Sequence, residues 1–438
     1  MNSIRITGRR VALSALLTCA VVSGIACSDL TALKQDNPGQ LSAATIYTPV
    51  NAQLLVNGAI ADFECAFSRY VVGTGLFTDE ISVAIAATAN YDYDRRTFTA
   101  GGPYGTATCG INQQPPIYTT LSTARASGDT IAAKLRAWTD AQMPLGVNRM
   151  RLIGQAAAYT GYSLVLLGEA MCSGAINVGP ELTPAQLFAE AKVRFDSAVV
   201  AATAANDAVT LNFALLGRAR TLLNLQDPAA AAIDAARIPS GFVVGTSTDA
   251  VAVRKQNFVF VSINNGNWST VDPSFRGLTI NGAPDPRVAV TNTGRAGTVA
   301  GSQIWTADKY PVATTSMPIA RYAEAQLIIA EARLATGDLT GAAAAINVVR
   351  AARPSLPAYS AAGRTAAEVR TDLIEERRRE LFLEGHRLGD IRRYGIPIVP
   401  AAGLPFPGGG GTYGTASCFL LPDVERINNP TIAGAGRS

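Results

Sequence analysis

The sequence predicts a mainly α-helical protein in which helix pairs stack on one another and an irregular segment interrupts the stack. Three observations support this prediction. Of the 438 residues, 48% are hydrophobic and 16% are charged, which is far from the profile of a disordered chain and sufficient for a large core. An alanine-rich sequence occurs twice. Between its two copies lies a stretch rich in glycine, asparagine and β-branched residues.

The alanine-rich repeat carries most of the fold prediction. Arg220–Arg237 reads RTLLNLQDPAAAAIDAAR and Arg333–Arg350 reads RLATGDLTGAAAAINVVR, and the two align without a gap at AAAAI. Each copy has the pattern of a helix end, a short turn and an alanine-rich second helix. Because alanine lets two helices approach closely, the repeat predicts stacked helix pairs of tetratricopeptide type, an α-solenoid.

Further helical patterns cover much of the N-terminal half. Thr183 followed by Pro184 is typical of a helix start, because threonine caps the free amides and proline lacks an amide that would need a partner. By apolar spacing, the predicted helices span 47–72, 117–138, 147–171, 183–204 and 211–225.

The irregular insertion is predicted for residues 241–317. It contains two of the three tryptophans, Trp268 and Trp305, and the β-branched run Asn257–Val261 between glycine, asparagine and proline breaks. We expect loops and short strands there. Residues 101–116 read as a long loop, and 395–414 form a second irregular stretch.

The N-terminus has the features of a lipoprotein export signal over residues 1–26. Three arginines precede the apolar run Val11–Val22, which is too short to span a bilayer. Gly24–Cys27 resembles a bacterial lipobox, with Cys27 as the lipidated first residue, although Gly24 departs from the usual aliphatic residue. Ordinary signal cleavage with Cys27 as a bystander is the alternative. Residues 27–41 are polar and predict a tether, and 42–438 are expected to form a single domain.

Four cysteines remain in the mature chain besides Cys27: Cys65, Cys109, Cys172 and Cys418. An even number in an exported protein predicts two disulfides, and three connectivities are open.

The charges exclude several functions. Lys and Arg number 37 against 33 Asp and Glu, and the net charge of +4 is spread along the chain, so nucleic acid is not an expected partner. His386 is the single histidine, which excludes sites built from several imidazoles. No CxxC spacing, P-loop or nucleophile elbow occurs, and we expect no metal and no cofactor.

Clustered carboxylates allow a catalytic hypothesis and a structural one. Glu384 or Asp390 with His386 would be an acid/base pair, but the surrounding run from Glu375 to Arg393 has the spacing of a salt-bridged helix face. Asp79–Glu80 and Asp92/Asp94 are weak candidates for a glycosidase pair. We interpret these residues as structural.

Aromatic residues on irregular segments indicate a ligand site. Sugars stack on flat aromatic faces and hydrogen-bond to amide and guanidinium groups, and the near-neutral charge suits an uncharged sugar. The candidate contacts are Tyr91, Tyr93, Arg95, Tyr104, Asn265, Trp268 and Trp305.

The C-terminal third resembles the SusD/RagB family. The motifs that carry the resemblance are Arg321–Ala325 with Ile329–Ala332, Ala345–Arg350, Glu376–Leu381, Glu384–Arg387 and Asp390–Arg393, together with Asp285–Arg287, Lys309–Tyr310 and the tail from Leu421 to Pro430. The N-terminal half agrees in layout, with Thr78–Glu80 after the first helix.

This resemblance implies a tetratricopeptide-like fold and a non-catalytic outer-membrane lipoprotein on the cell surface. Such proteins capture a nutrient, usually a glycan, and act as a lid over a SusC-like TonB-dependent transporter. The membrane would be contacted through the lipid anchor only. A tetratricopeptide-type adaptor of the cell envelope is the alternative from another class, and an all-helical glycoside hydrolase is a third.

Overall fold

The computed structural model describes residues 42–86, 88–110 and 114–433. The chain divides into two compact units, residues 1–48 and 49–438. In the first, the described part contains helix α1 (Ala43–Ile46), which the Ser42 side chain caps. The predicted signal, Cys27 and tether lie outside the described residues. The larger unit begins at Pro49, whereas the sequence predicts a folded domain from residue 42.

The unit of residues 49–438 is mainly helical, which confirms the predicted fold class. None of the helices in the described part of the chain is both long and apolar enough to cross a membrane. In chain order they are α2 (Ala52–Phe77), α3 (Thr88–Arg95), α4 (Pro103–Thr106), α5 (Tyr118–Ala137), α6 (Arg149–Ala170), α7 (Pro184–Ala204), α8 (Ala208–Asn224), α9 (Pro228–Ala235), α10 (Tyr322–Ala335), α11 (Leu339–Ala351), α12 (Ala366–Glu380), α13 (Arg387–Tyr394), α14 (Asp423–Asn428) and α15 (Pro430–Ala433).

The long helices pack as successive neighbours. α5 packs on α2 and α6, α7 on α6 and α8, and the two repeat copies form the neighbouring pairs α8–α9 and α10–α11. The repeat alanines Ala231 and Ala345 are buried, as the close approach of helices requires. Glycine serves the same purpose at Gly161 and Gly217, where an added Cβ would collide with the Phe195 ring.

The strands form short antiparallel pairs. β1 (Ile81–Val83) pairs with β5 (Ser269–Val271), and β4 (Val243–Gly245) pairs with β10 (Pro318–Arg321). β8 (Val290–Ala296) and β9 (Gln303–Ala307) form a hairpin. The remaining pairs are β2 (Gly174–Ala175) with β3 (Glu181–Leu182) and β6 (Thr279–Ile280) with β7 (Ala283–Pro284).

The run Asn257–Val261, which the sequence analysis assigned to short strands or loops, is helical at its apolar residues. The Asn257 side-chain oxygen accepts hydrogen bonds from the amides of Val259 and Phe260 at 3.0 and 3.1 Å. This cap starts a helical turn, which continues as a π-helix over Phe260–Asn265. The β-branched residues favour a strand, but the Asn257 side chain accepts hydrogen bonds from the first free amides of the helical turn and so stabilises the helix instead.

The charge cluster of the C-terminal third forms a buried ion-pair network. We use this name for Asp79, Asp285, Arg287, Lys309, Arg321, Arg350, Glu376, Arg377, Glu380, Glu384, Arg387 and Asp390. Arg377 donates to both oxygens of Asp390 at 2.8 Å. Arg287 bridges Asp285 of the insertion, at 2.7 Å, and Glu376 of α12, at 2.6 Å. The network therefore fastens the insertion to the helical scaffold.

Two disulfides brace the unit. Cys65 of α2 is bonded to Cys109 of the loop that follows α4, and Cys172 after α6 is bonded to Cys418 near the C-terminus. The structure thus selects one of the three connectivities that the sequence leaves open.

Candidate functional site

Strand β1 and the residue after it hold together the segments that carry the predicted ligand contacts. The Val83 amide donates to Asp94 of α3 at 2.8 Å, and the Ala84 amide donates to the Trp268 carbonyl at 3.0 Å. The Ala84 carbonyl in turn accepts from Val299, in the turn between β8 and β9, at 3.1 Å. Helix α3, the Trp268 loop and the β8–β9 hairpin therefore meet at one place.

Trp268 is half-buried at the end of the π-helix. Its ring lies 6.3 Å from the Phe258 ring between centroids, and Gly266 packs so closely that an added Cβ would lie 2.8 Å from the indole. Asn267 between them has φ +51°, a left-handed conformation that asparagine tolerates. Packing on one side holds the indole in place while part of it stays accessible.

Trp305 lies on β9 opposite Asn292 of β8 and is also half-buried. Its amide donates to the Thr270 hydroxyl at 2.8 Å, which ties β9 to β5. The Arg276 guanidinium carbon lies 5.5 Å from the ring centroid, within the range of a cation–π contact. The second indole is therefore also fixed by its neighbours.

Amide and guanidinium groups surround the two indoles. Asn265 is exposed, and the Asn267 side chain donates to its carbonyl at 3.1 Å. Asn267 also accepts from Arg295 of β8 at 2.9 Å. We call Asn265, Asn267, Trp268, Arg276, Arg295 and Trp305 the tryptophan surface. It combines flat apolar faces with hydrogen-bond donors and acceptors, the chemistry that sugar rings require.

The three tyrosines among the predicted contacts belong to the core, which corrects their assignment. Tyr91, Tyr93 and Tyr104 are 5%, 1% and 1% exposed. The Tyr93 hydroxyl donates to the Pro115 carbonyl at 2.8 Å, and its ring packs edge-on against Phe98. Rings enclosed in this way offer no face to a ligand, because the segments around α3 fold against the long helices.

Arg95 is occupied by the protein itself. It pairs with Asp92 at 3.1 Å and donates to the Gly410 carbonyl at 2.8 Å. Its guanidinium lies 5.8 Å from the Phe406 ring centroid. Arg95 therefore anchors the glycine-rich loop of residues 408–411.

The carboxylates considered for catalysis face other protein groups. Asp79 accepts from Arg387 at 2.6 and 2.9 Å, and Glu80 accepts from the Leu383 amide at 2.8 Å. Burial raises the pKa of Glu80 and of Asp94 to about 7. Both groups lie inside the fold, so these pKa values reflect lost hydration.

The proposed acid/base group around His386 is likewise enclosed. Glu384 pairs with Arg321 at 2.7 Å and contacts Lys309. His386 is buried, 3.9 Å from Glu324, and burial together with the nearby Arg220 and Arg377 holds its pKa well below the usual range. It is therefore neutral. Among the described residues, no group of three histidine, cysteine or acidic side chains is arranged to hold a metal ion.

Two arginines of the tryptophan surface, Arg276 and Arg295, were not among the predicted contacts. Neither belongs to a recognisable motif. Their proximity to the tryptophans depends on the register of β8 with β9 and on the contact between β5 and β9. Gly297 and Gly301, in the turn between β8 and β9, are a sequence signal for this hairpin.

Comparisons with known proteins agree with this architecture. Residues 289–418 match the model of the SusD family. A SusD-like carbohydrate binding protein from Bacteroides vulgatus has 16% identity and a TM-score of 0.65, covering 88% of this chain and 97% of its own. Surface glycan-binding protein A from Bacteroides thetaiotaomicron has 14% identity and a TM-score of 0.63, covering 87% and 97%.

The same glycan-binding protein in complex with laminarihexaose gives a TM-score of 0.61 at 14% identity, covering 87% of this chain and 98% of that one. None of the curated proteins compared with the chain matches it. The fold defines a helix-pair scaffold that carries an inserted segment of loops and short strands. The SusD family therefore matches this chain over residues 289–418, and solved SusD-like proteins share its fold.

Proposed function

We propose that this protein captures a carbohydrate through the tryptophan surface and passes it on without cleaving it. The observation that carries the proposal is the pair of half-buried indoles, Trp268 and Trp305, set among amide and guanidinium groups on a braced scaffold. Carbohydrate-binding proteins of the same fold support it.

The surface is suited to binding because its groups are already ordered. Each indole is held by a neighbour, Phe258 for Trp268 and Arg276 for Trp305. Binding then costs little side-chain entropy, and the apolar face of a sugar ring replaces water on the exposed part of the indole. The absence of cleavage fits the carboxylates discussed above, which are engaged within the protein.

The proposed location is the outer surface of the outer membrane, with Cys27 as the lipid anchor and a SusC-like TonB-dependent transporter as the partner. The signal-like N-terminus and the match of residues 289–418 to the SusD family support this assignment. Palmitate labelling should be lost in Cys27→Ala. Purification of the native protein from outer membranes should recover such a transporter, identified by mass spectrometry. If the wild type takes up no palmitate and no transporter co-purifies, this part of the proposal is wrong.

Carbohydrate binding is tested by affinity gel electrophoresis against a panel of neutral and acidic polysaccharides, with calorimetry for those that retard the protein. Replacing both Trp268 and Trp305 by alanine should weaken binding about tenfold or more, measured on protein that circular dichroism shows to be folded. Trp138→Ala is the matched control, because this third tryptophan is also half-buried but follows α5, outside the insertion. Equal affinity of the double variant and the wild type would refute the site.

A peptide-binding adaptor is the second candidate function. A groove of about 730 Å³ lies along α8–α10, α12 and α13, and leucines at 223, 334 and 373 line it. This candidate predicts no retention of the protein by any polysaccharide. It also predicts a co-purifying envelope protein that is lost when Leu334 is replaced by glutamate.

A further inference from the structure

The two arginines of the tryptophan surface differ from most arginines of this protein. Arg276 and Arg295 form no salt bridge with any carboxylate of the described residues, whereas the arginines of the ion-pair network are bound to aspartate or glutamate. Although the chain as a whole is nearly neutral, this surface carries two cations without protein counter-ions.

Arg276 is held in position and keeps donors available. Its Nε donates to the Val271 carbonyl at 2.8 Å, and its guanidinium lies over Trp305. The contacts of Nη2 are long, 3.5 Å to the Thr270 hydroxyl and 3.5 Å to the Gln303 carbonyl. A guanidinium fixed at one edge presents the rest of its planar set of N–H groups to a ligand.

Arg295 is bonded to the segment that carries the other tryptophan. It is exposed on β8, and Nη2 donates to the side chain of Asn267, the residue before Trp268. One arginine therefore lies over Trp305, and the other is hydrogen-bonded to the residue that precedes Trp268.

Two acidic side chains of the adjoining segments are engaged elsewhere. Asp272 accepts from the Ser82 hydroxyl and the Ser274 amide. Asp308 accepts hydrogen bonds from the hydroxyls of Thr291 and Thr306, which face each other across the hairpin. The next pair along the strands is Asn292 with Trp305. Because successive side chains point to opposite faces, Asp308 bonds to threonines on the face away from Trp305. Neither carboxylate neutralises Arg276 or Arg295 by direct contact.

We infer that the carbohydrate bound by the tryptophan surface is acidic and carries carboxylates, as in a polysaccharide containing uronic acids. This inference rests on the proposed carbohydrate-binding function and specifies its substrate class. A sugar ring stacks on an indole, and its carboxylate then meets the planar guanidinium beside that indole in the two-point geometry that arginine favours.

The test uses polygalacturonate, alginate and hyaluronate, each compared with its carboxyl-reduced form, together with a panel of neutral polysaccharides. Reduction converts each carboxylate to a primary alcohol and leaves the chain length and linkage unchanged. At least one acidic polysaccharide should retard the wild-type protein, and its reduced form should bind about tenfold or more weakly. The difference should shrink as salt is added.

Variants locate the effect. Arg276→Gln with Arg295→Gln should lower affinity for the acidic polysaccharide about tenfold and leave affinity for the reduced form unchanged. Arg295→Gln alone should give a smaller loss of affinity for the acidic polysaccharide. Because Arg295 is exposed, this single variant tests the inference even if the double variant does not fold. Arg136→Gln is the control and should leave affinity unchanged, since Arg136 is an exposed arginine of α5 that bonds to the Ser197 hydroxyl and to no carboxylate of the described residues.

The outcomes separate this inference from the proposed function. Equal binding of acidic and reduced forms, or retention by neutral polysaccharides only, overturns the acidic specificity and leaves carbohydrate capture intact. Retention by no polysaccharide of either kind overturns both.

Discussion

The ion-pair network and the tryptophan surface use the same side chains in opposite ways. In the network, Arg287 and Asp285 have 0% exposed side chains and their charges neutralise each other. On the tryptophan surface, Arg295 is exposed and bonds to an uncharged amide. A guanidinium bound to a buried carboxylate joins two parts of the fold, whereas one bound to an amide beside an indole retains its charge for a ligand.

The two regions should therefore respond differently to mutation. Loss of one partner in the network leaves an uncompensated charge in the interior, which costs stability and leaves the binding surface as it was. Loss of a side chain from the tryptophan surface should remove a proposed ligand contact at a smaller cost to the fold, because these side chains are partly exposed. The predictions below examine this separation, beginning with the largest effect.

Replacement of Asp390 by alanine should destabilise the protein most. Arg377, buried with a 4% exposed side chain, would lose both of its 2.8 Å bonds, and Arg393 would lose one of 3.0 Å. We expect unfolding in urea to require about 3–5 kcal/mol less free energy, with polysaccharide affinity of the folded fraction unchanged. Asp308→Ala, which removes an exposed carboxylate bonded to threonines, should cost less than about 0.5 kcal/mol. A loss below about 1 kcal/mol in Asp390→Ala would show that the network does not hold the scaffold.

The two disulfides should differ in what their removal costs. Cys172 and Cys418 are 246 residues apart in sequence, and Cys65 and Cys109 are 44 apart. Because a longer closed loop restricts the unfolded chain more, replacing the first pair by alanines should cost about 2–4 kcal/mol, roughly 1.5 kcal/mol more than replacing the second. Denaturant unfolding of the two double variants measures this difference, and the reverse order would indicate that the loop beside α4 depends on its disulfide for native packing.

The stacked helices could be predicted from the sequence because their signals are local. The AAAAI repeat, the Thr183–Pro184 start and the apolar spacing of residues 147–171 depend only on neighbours along the chain, and the structure confirms helices there. The irregular insertion was also recognised from composition, with Trp268 and Trp305 on it. An even cysteine count predicted two disulfides but could not choose their pairing.

The burial of Tyr93 and Tyr104 could not be predicted because it depends on distant partners. Phe419, more than 300 positions along the chain from either tyrosine, packs against both rings. The helical turn at Asn257 was missed because one side-chain cap outweighs the β-branched residues that follow. Arg276 and Arg295 were missed because strand pairing, which no motif specifies, brings them to the tryptophans.

Glu324 is an exception beside the ion-pair network, since it is buried without a matching cation in contact. One oxygen lies 3.9 Å from His386, and Oε2 has no hydrogen-bond partner among the described residues. Burial raises the pKa of Glu324 to about 7. The positive charges of Arg220 and Arg377 lower this pKa, and the negative charges of Glu169 and Glu384 raise it further. The folded protein therefore keeps this proton up to about pH 7, whereas the unfolded chain releases it near its ordinary value, about 4.5.

Folding stability should fall as pH rises through this window, because the folded state binds more protons than the unfolded one. Glu324→Gln removes the effect. The free energy of unfolding of the variant minus that of the wild type should be about 2–3 kcal/mol higher at pH 8 than at pH 5. Urea titrations of both proteins at the two pH values measure this. Parallel pH dependence of the two proteins would mean that Glu324 is already ionised in the folded state.

The smallest predicted effect is on the stability of the protein when core tyrosines, which we distinguish from ligand contacts, lose their hydroxyls. Tyr93→Phe removes the hydroxyl that donates to the Pro115 carbonyl and should cost about 1 kcal/mol, because that carbonyl is left buried without its donor. Tyr104→Phe should be nearly neutral, since the Tyr104 hydroxyl has no hydrogen-bond partner among the described residues. Neither change should alter polysaccharide affinity in calorimetry. Weaker binding in either variant, at unchanged stability, would bring these rings back into the site and remove the distinction between the aromatic core and the tryptophan surface.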